Sequence, residues 1–430
     1  MRAAGGRETQ VDIEGAASSR TRGCVLMLVE NLSVPRDRRV WQEAVALDAA
    51  GFEVVVICPQ GEARDTASRE QIGGIEIHRY RARPAQSGAL GYVREYVSAY
   101  REIRRLVRRL ARGRRFDVVH AANPPDFLLL TALALRGRGA RFVFDVHDLS
   151  PELYESRYGR RGLVHAALRA IERISFRVAD VVIATNESYR RIAEARGGKP
   201  AADVFVVRND PDLAQFDSVD ADDALRHGKA HLLCYVGMMG RQDGLDHALR
   251  ALAALHERRD DWHALFLGDG EALPEMRRLA RELDLDDAVT FGGFVGQDDV
   301  RRALASADVC ISPEPSSPLN DVSTLVKVGE YMAMGRPVVA FDLAETRATA
   351  GDAALYAEPS DPAALAANID ALLSDPVQRR ELGRRGRQRI EQGLSWASSV
   401  RSLYAAYEHL LASRPVAFEQ TPDTSRASAA

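Results

Sequence analysis

The chain has 430 residues and a mass of 47.2 kDa, two to three times the ~150 residues of a typical single domain, which indicates two domains. Hydrophobic residues make up 46% and charged residues 28%, near the averages of globular proteins, which excludes a mostly disordered or fibrous chain. The longest apolar run, Phe127 to Leu135, is far shorter than the ~20 residues of a membrane-spanning helix, and the first 20 residues lack the apolar core of a signal peptide. We therefore expect a soluble, cytoplasmic protein.

Charge is distributed unevenly along the chain, although the formal net charge is only −3. Residues 1–212 carry +8 and the remaining residues carry −11. Eight arginines lie between Arg101 and Arg115, in a segment with helical periodicity. This segment predicts either contact with an anionic membrane surface, so that the protein would be peripheral at the inner face of the membrane, or a solvated helix face.

The four cysteines lie in four separate apolar runs typical of strands: Cys24, Cys58, Cys234 and Cys310. Because no Cys-x-x-Cys pair is present, the sequence disfavours a zinc site or a redox dithiol, and we expect four reduced, buried thiols. The Asp-Leu-Asp at 284–286 lies in a predicted loop between a helix and a strand, where acidic residues are common. We expect no metal, no cofactor and no nucleic-acid partner.

In the first half of the chain, short runs rich in Val and Ile alternate with longer amphipathic stretches. The predicted strands are 24–30, 53–59, 75–80, 117–121, 141–146, 180–185 and 204–209. The predicted helices are 40–50, 92–112, 126–135, 162–178 and 188–196. Continuous apolar strands separated by helices are typical of a parallel sheet that is covered on both faces.

The same pattern begins again in the second half. The predicted strands are 231–237, 263–270, 288–294, 308–313, 337–342 and 353–358. The predicted helices are 244–258, 272–283, 298–305, 323–334, 361–373 and 377–392. A last amphipathic segment, 395–411, has its large apolar residues on one side: Val400, Leu403, Tyr404, Tyr407 and Leu411.

These elements predict an α/β protein of two doubly wound, Rossmann-like domains that face each other across a cleft. The predicted boundaries are a disordered tail at 1–22, a first domain at 23–212, a second domain at 213–394, a crossover helix at 395–412 that returns to the first domain, and a disordered tail at 413–430. Open parallel sheets bind ligands beyond the carboxyl ends of their strands, so we expect functional residues in the loops that follow strands.

Residues 313–342 form the most informative segment, in which a predicted strand leads through a polar loop to a helix predicted to begin near Ser323. The free N–H groups and the positive end of the dipole at a helix start are suited to a phosphate, and Ser323 and Thr324 would add hydroxyl donors. Lys327 and Glu330 are three residues apart and share one helix face. The ammonium would neutralise phosphate oxygens and the carboxylate would accept the two hydroxyls of a ribose; the alternative is an ordinary surface ion pair.

The segment EYMAMGRPVVA, which follows an NDVST loop and precedes FD, resembles the donor-site helix of glycosyltransferase family 4, retaining enzymes of the GT-B fold. Supporting segments occur in the family's order at 144–154, 180–189, 206–212, 235–246 and 265–271, so the resemblance spans residues 23–412. It implies that Glu330 binds the donor ribose. It also implies that Lys327 and the backbone around Val322–Leu325, including Leu325, bind the diphosphate of a nucleotide-sugar donor.

The sequence departs from the family pattern at several donor-site positions. The family has a second glutamate eight residues before Glu330, where this chain has Val322, and the nearest polar substitutes are Asn320, Asp321 and Glu314. In the loop after the first strand of the second domain, which includes Gly237 and Gly240, Met238 and Asp243 stand where the family has Arg and Lys. Arg241 is the nearby cation, and we hypothesise that it contacts the diphosphate. The first strand is followed by NLSVPRDRR in place of a Gly-Gly loop, so Arg36, Arg38 or Arg39 would contribute charge there.

His147 directly follows the strand at 141–146. A lone histidine is more often structural than catalytic, but its place at a strand end and the resemblance both predict contact with the donor sugar. The candidates for the acceptor side are also residues at or after strand ends, with Arg38 beside them: His120, Asp148, Asn186 and Asn209.

Together these patterns predict a metal-free enzyme that moves a sugar from a nucleoside-diphosphate sugar to a glycan, a lipid-linked acceptor or a small molecule. The expected setting is surface polysaccharide or glycolipid synthesis. One alternative is a GT-B epimerase or phosphorylase. Another is an inactive subunit that binds a sugar nucleotide, which the departures from the family pattern favour.

Overall fold

A computed structural model of the chain describes residues 22–61, 65–82, 89–216 and 219–412. The predicted tails at 1–22 and 413–430 lie outside these ranges, apart from Arg22. The described residues form two β-sheets with helices on both faces of each, which confirms the predicted fold class. Among them, no helix combines the length and the apolar composition that crossing a membrane requires.

The first sheet has eight strands: β1 (Cys24–Leu28), β2 (Glu53–Pro59), β3 (Arg69–Ile72), β4 (Ile75–Tyr80), β5 (Val118–Ala122), β6 (Arg141–Val146), β7 (Val181–Ala184) and β8 (Val204–Val206). Their spatial order is β3-β4-β2-β1-β5-β6-β7-β8, and every neighbouring pair is parallel except β3 with β4. Strand β1 is buried along its whole length, and its Val25 pairs with Val54 on one side and Val118 on the other. Burial on both faces explains why these strands are continuous apolar runs.

Six helices cover this sheet: α1 (Arg38–Ala49), α2 (Ala89–Leu110), α3 (Leu129–Arg136), α4 (Ser150–Tyr158), α5 (Leu163–Val178) and α6 (Glu187–Gly197). Helices α2, α3, α5 and α6 contribute to the core on one face, and α1 contributes to the core on the other. The sequence analysis missed β3 and α4. Strand β3 lies at the sheet edge and is nowhere buried, and α4 buries only Pro151, so neither element has a clear hydrophobic period.

The second sheet has six parallel strands: β9 (His231–Val236), β10 (Trp262–Leu267), β11 (Val289–Gly293), β12 (Val309–Ser312), β13 (Val338–Phe341) and β14 (Ala354–Ala357). Their spatial order is β11-β10-β9-β12-β13-β14. The helices are α7 (Leu245–His256), α8 (Leu273–Glu282), α9 (Gln297–Ser306), α10 (Val326–Ala333), α11 (Ala344–Ala350), α12 (Pro362–Ser374) and α13 (Pro376–Gly393). The strand order reverses between β9 and β12, and such a switch point opens a crevice for ligands.

Helix α14 (Trp396–Ala412) packs back onto the first sheet, as the sequence predicted. Leu403, Tyr407 and Leu410 are buried in the same core as α1 and β1. The Tyr404 hydroxyl donates a hydrogen bond to the Ala46 carbonyl of α1 at 3.0 Å. The last helix of the chain is therefore part of the first domain's hydrophobic core. The four cysteines are also buried and unpaired, as expected.

Helix α10 begins at Val326, so the predicted start near Ser323 is wrong. Residues Asn320–Val322 form a 3-10 turn, and the backbone of Ser323 is extended. Asn186 of the first domain donates hydrogen bonds to the Val322 carbonyl at 2.9 Å and to the Thr324 hydroxyl at 3.0 Å. These two hydrogen bonds between the domains hold the loop in its extended form, and α10 begins only after the residues that they bind.

Candidate functional site

Helix α10 is fixed across the switch point of the second sheet by Tyr331. This side chain is fully buried, and its hydroxyl accepts a hydrogen bond from the Val236 N–H at 2.9 Å and lies 3.3 Å from the Ile311 carbonyl. Val236 ends β9 and Ile311 belongs to β12, the two strands at which the order reverses. The tyrosine therefore places the first turn of α10 at the crevice where a ligand of this sheet would bind.

Lys327, in that first turn, is a buried cation. Its ammonium donates a hydrogen bond to the Tyr235 hydroxyl at 3.0 Å, lies 4.5 Å from the centre of the Tyr235 ring and forms an ion pair with Glu314. Burial opposes its charge, but Glu314, with Tyr235 and Asp243, outweighs burial and raises the pKa of Lys327. An ammonium has three N–H donors, and among the described residues two partners are found, so one donor can still reach a ligand.

Glycines allow close packing in the loops after β9 and β10. The loop after β9 packs against Lys327, and the loop after β10 packs against the loop after β9. A Cβ on Gly237 would lie 2.7 Å from the Lys327 Cε, and a Cβ on Gly268 would lie 1.8 Å from the Gly237 carbonyl oxygen. Both glycines have positive φ, +157° and +141°. A side chain would clash at either position, so glycine at both allows the Gly237 backbone to lie directly beside the lysine.

Other predicted donor-site residues are used within the second domain. Arg241 is 81% exposed and its guanidinium lies 3.7 Å from the Glu275 carboxylate of α8. The Gly240 N–H donates to the Asp243 carboxylate at 2.8 Å. Asn320 donates to two carbonyls, at 2.9 Å each, and Asp321 accepts from the Ser316 hydroxyl at 3.0 Å. Glu314, considered as a substitute for the missing glutamate, is instead the partner of Lys327.

Ser323 and Thr324 contact the first domain. The Ser323 hydroxyl lies 3.0 Å from the Tyr189 hydroxyl, and Thr324 accepts from Asn186. Asn186 also caps α6, because its side-chain oxygen accepts from the Tyr189 N–H at 2.8 Å. Asn186, predicted on the acceptor side, therefore joins the two domains beside the donor loop.

Glu330 lies one turn along α10 and is 7% exposed. Its carboxylate forms an ion pair at 3.0 Å with Arg38, the first residue of α1. These two side chains line a cavity of about 50 Å³ between the domains, together with Gln42, Asn209, Asp210, Pro211, Asp212, Gln215, Phe216 and Val326. Arg38 and Asn209, both predicted on the acceptor side, therefore face the residue expected to bind the ribose.

His147 belongs to a network of buried charges beneath the cleft wall of the first domain. It hydrogen-bonds to Asp145 of β6, which also pairs with Arg39 of α1 at 2.8 Å. Burial opposes the charge of Asp145, but Arg39, with His147, outweighs it and holds the Asp145 pKa well below its usual range. Burial disfavours the charged imidazole of His147, but Asp145 outweighs that effect and raises its pKa. Asp145 thereby holds His147 in place and favours its protonated form.

The network continues below His147. Arg39 pairs with Glu43 at 3.1 Å, and Glu43 lies 3.3 Å from the Nε2 of His120. The Nδ1 of His120 lies 2.9 Å from the Tyr407 hydroxyl of α14. His120 is fully buried, so it lies under the cleft and does not line it, contrary to its predicted place on the acceptor side.

Glu43, His120 and Asp145 bring three potential metal ligands within 4.8 Å of one another. The guanidinium of Arg39 pairs with both carboxylates of this set. A metal cation would lie against that guanidinium and would compete with it for both acids. The donor set therefore fits the arginine better than it fits a metal ion.

Asp148, the remaining acceptor-side candidate, follows His147 in a loop held by Asn123. The Asn123 side-chain oxygen accepts from the His147 N–H at 2.7 Å and from the Asp148 N–H at 3.2 Å. Burial raises the pKa of Asp148. The sequence analysis did not identify Asn123, although a polar residue directly after β5 is the kind of signal that marked the other candidates.

Two family models match the chain, one in each domain. Residues 37–210 match the "Glycosyl transferase 4-like domain" and residues 230–375 match "Glycosyl transferases group 1", which together cover about three quarters of the chain. The chain belongs to glycosyltransferase family 4. This confirms the resemblance seen in the donor-site helix, and the protein is a glycosyltransferase.

Characterised glycosyltransferases are similar along most of their length. Glycogen synthase of Mycobacterium tuberculosis is 28% identical over 394 residues, which cover 86% of this chain and 90% of that protein. The 2-deoxystreptamine glucosyltransferase of Streptomyces kanamyceticus is 25% identical over 302 residues, which cover 68% of this chain and 77% of that protein. This glycosyltransferase thus resembles enzymes that are named for very different acceptors.

Solved structures show the same fold. Sucrose-phosphate synthase from Thermosynechococcus elongatus superposes with a TM-score of 0.75 at 22% identity, over 91% of this chain and all of that one. Anabaena HepE in complex with UDP-glucose superposes with a TM-score of 0.67 at 17% identity, over 90% of this chain and all of that one. The glycosyltransferase therefore has the two-domain GT-B architecture.

Proposed function

We propose that the enzyme transfers a sugar from a nucleoside-diphosphate donor to an acceptor hydroxyl, with retention of the anomeric configuration and without a metal ion. The observation that carries this proposal is the first turn of α10 at the switch point, where Lys327 is buried, charged and in contact with the Gly237 backbone. The complex of HepE with UDP-glucose shows a nucleotide sugar bound to a protein of this fold and supports the same donor class.

In the transfer, the bond between the anomeric carbon and the diphosphate oxygen breaks as the acceptor oxygen bonds to that carbon. Negative charge grows on the departing diphosphate, and positioned cations and N–H groups stabilise it. Lys327 and the free N–H groups of the first turn of α10 supply that stabilisation. The acceptor proton passes to the departing phosphate oxygen, so retention requires no side-chain nucleophile.

Glu330 binds the donor ribose in this proposal, which requires Arg38 to move. The cavity beside the Arg38–Glu330 pair is about 50 Å³, far smaller than the 300–1,000 Å³ of typical ligand pockets. Separation of the two domains would break the ion pair and open the site to the nucleotide. Closure would then exclude water from the donor sugar.

His147 contacts the donor sugar in this proposal. Its link to Asp145 fixes one ring nitrogen and favours the imidazolium, which can donate a hydrogen bond from the other nitrogen. A donor at this place would orient a sugar hydroxyl beside the reacting carbon. Asp145 is a positioning residue, since it acts through the histidine.

A thermal-shift screen with UDP-, GDP-, ADP- and dTDP-sugars tests the donor assignment, because a bound ligand raises the melting temperature by mass action. We expect one nucleotide class to stabilise the wild-type protein and Glu330→Ala to lose the shift. Glu358→Ala, which removes an exposed carboxylate at the end of β14, should keep it. Equal shifts in both variants would contradict the role of Glu330.

The same screen is followed by turnover assays. Release of nucleotide that requires an acceptor and persists in EDTA would support metal-free transfer. A requirement for inorganic phosphate would indicate a phosphorylase, and conversion of the donor without an acceptor would indicate an epimerase. Binding with no turnover of any donor would indicate an inactive subunit.

We also propose that the arginine face of α2 contacts an anionic membrane surface on the cytoplasmic side, which suits an enzyme of surface polysaccharide or glycolipid synthesis. Six arginines line one exposed surface and have no ion-pair partner among the described residues: Arg101, Arg104, Arg105, Arg108, Arg109 and Arg112. Arg114 differs, since it pairs with Glu76 at 2.7 Å. Arg104→Glu with Arg108→Glu should release the protein from phosphatidylglycerol vesicles, whereas unchanged binding would indicate a merely solvated face.

A further inference from the structure

The first domain contains a second cavity, which is larger than the one beside Glu330 and is lined by residues outside the donor site. It measures about 260 Å³ and lies between α4, α5 and the loop after β5. Four aromatic side chains line it: Tyr96, Phe127, Tyr154 and Tyr158. Tyr96 meets Phe127 edge to face, with ring centres 5.8 Å apart, and the Tyr154 and Tyr158 rings are 4.8 Å apart. Walls of this kind bind apolar groups, and aromatic groups in particular.

Asp126, which also lines the cavity, is a buried carboxyl. It is 4% exposed, and its Oδ1 accepts from Asn123 at 2.7 Å and from Ser150 at 3.2 Å. Its Oδ2 has no hydrogen-bond partner within the described ranges. Burial raises the pKa of this carboxyl to about 6. The protein encloses Oδ2, so a group in the cavity meets the aromatic and aliphatic side chains of the walls and not this oxygen.

The cavity shares a wall with the His147 loop. Asn123 donates to Asp126 and to the Asp148 carbonyl, both at 2.7 Å, while its oxygen accepts from the His147 N–H at 2.7 Å. Ser150, which contacts Asp126, begins α4 directly after this loop. Two hydrogen bonds, through Asn123, therefore link the wall of the cavity at Asp126 to the residue that we place next to the donor sugar.

The rim of the cavity also reaches the second domain. Arg157 of α4 lines the cavity and pairs with Glu271 of the second domain at 3.2 Å. Helix α4 also contacts the turn Arg241–Asp243, which follows β9. Val164, which also lines the cavity, is 51% exposed. Arg157 thus brings one wall of the cavity to the boundary between the domains.

We propose that this cavity is the acceptor subsite and that it takes the hydrophobic group of an acceptor, an aromatic ring or an alkyl chain, whose hydroxyl then lies near His147. This inference rests on the proposed glycosyl transfer and specifies the class of its acceptor.

Binding of three glucosides in the presence of the nucleoside diphosphate that the thermal-shift screen identifies tests the proposal: methyl, 4-nitrophenyl and octyl glucoside, the last below its micelle concentration. Because the gain from burial grows with apolar area, we expect a Kd at least about tenfold lower for the nitrophenyl or the octyl compound than for the methyl compound. Preference for the octyl compound would indicate a lipid-linked acceptor, and preference for the nitrophenyl compound would indicate an aromatic one. Equal Kd values for all three would overturn the proposal.

Leu168→Trp, which fills the cavity from α5, should abolish the preference, and Tyr154→Ala, which removes one wall, should reduce it. Ile174→Trp is the matched control, because Ile174 lies on the same helix, 48% exposed and outside the cavity lining. A preference that persists in both cavity variants would overturn the proposal. Binding of UDP, GDP, ADP and dTDP to the wild-type protein is measured separately; absence of binding for all four would contradict the donor site, and the comparison of glucosides would still test the cavity.

Discussion

The two walls of the cleft bury charge in different ways. In the second domain, Lys327 has one carboxylate partner, Glu314, and one N–H that no described residue takes. In the first domain, Arg39 is bound by Glu43 at 3.1 Å, by Asp145 at 2.8 Å and by the Val207 carbonyl at 2.8 Å. The lysine can therefore still bind a ligand, whereas the charge of the arginine is enclosed and balanced by two acids of its own domain.

From this difference we infer separate roles for the two walls, ligand binding in the second domain and side-chain positioning in the first. A buried cation with a spare donor at a helix start is arranged to meet a phosphate. A cation enclosed by acids fixes those acids, and through Asp145 it fixes His147. We infer that the second-domain wall acts directly on the donor diphosphate. The buried charges of the first-domain wall hold one side chain, His147, in a defined state.

The largest expected effect follows from Lys327→Met. It removes the charge that meets the diphosphate, and the loss of one such group typically lowers kcat by ~10²–10³. It also leaves Glu314 buried without its cation, which should lower the free energy of unfolding by about 3–5 kcal/mol. Steady-state kinetics and urea unfolding measure the two effects. Lys229→Met, at a partly buried lysine of the same domain whose ammonium donates to the Asp260 carbonyl, should leave kcat unchanged and lower the free energy of unfolding by about 1 kcal/mol or less.

Asp145→Asn tests whether the buried charges of the first-domain wall hold His147 in a defined state. It keeps the shape of the side chain but removes the charge that balances Arg39 and His147, so we expect a loss of about 3 kcal/mol in the free energy of unfolding. The pKa of His147 should fall, which NMR titration of the imidazole can follow. Asp180→Asn, which breaks a more exposed pair with Arg136, should cost about 1 kcal/mol or less. Equal losses of unfolding free energy in the two variants would show that the buried network contributes no more to stability than an exposed ion pair does.

Glu43→Gln should change how stability depends on pH. Burial raises the Glu43 pKa from 4.5 to about 7, although the nearby Arg39 opposes this. The folded protein therefore binds this proton more tightly than the unfolded chain, so its contribution to stability falls as pH rises from about 4.5 to about 7. Asp145 changes the pH dependence of stability in the opposite direction. Its pKa is lowered in the folded protein, so its contribution to stability is lost only as pH falls below about 4. Unfolding at a series of pH values should show a flatter profile for the glutamine variant between pH 4.5 and 7.

The sequence predicted the second-domain wall better than the first because its residues are local. Lys327 and Glu330 are three residues apart on one short helix, and the strand before it and the glycine after it are visible in the pattern. What spacing could not show is the partner of each residue. Glu314 pairs with Lys327 across 13 positions, and Arg38 reaches Glu330 from the other domain.

The first-domain network was hidden because it joins distant positions. Arg39 and Glu43 look like an ordinary exposed pair at helical spacing, and only the sheet brings Asp145 of β6 and His120 of β5 against them. A histidine and an aspartate inside two otherwise apolar strands were the available signal. The start of α10 was misplaced for a related reason, since Asn186 of the first domain holds the loop that precedes the helix.

The smallest expected effect comes from Arg38→Met, at the point where the two walls meet. Arg38 is about half exposed, so its ion pair with Glu330 contributes only ~0.2–1 kcal/mol, but a nucleotide must break that pair to bring its ribose to the glutamate. Removing the arginine should therefore lower the Kd of the nucleotide about 1.5- to 5-fold. Arg136→Met is the matched control, because Arg136 is about half exposed and its ion pair, with Asp180 at 2.8 Å, lies within the first domain, so the Kd should be unchanged. A higher Kd in Arg38→Met would mean that Arg38 itself contacts the donor, and the first-domain wall would then bind the donor as well as position His147.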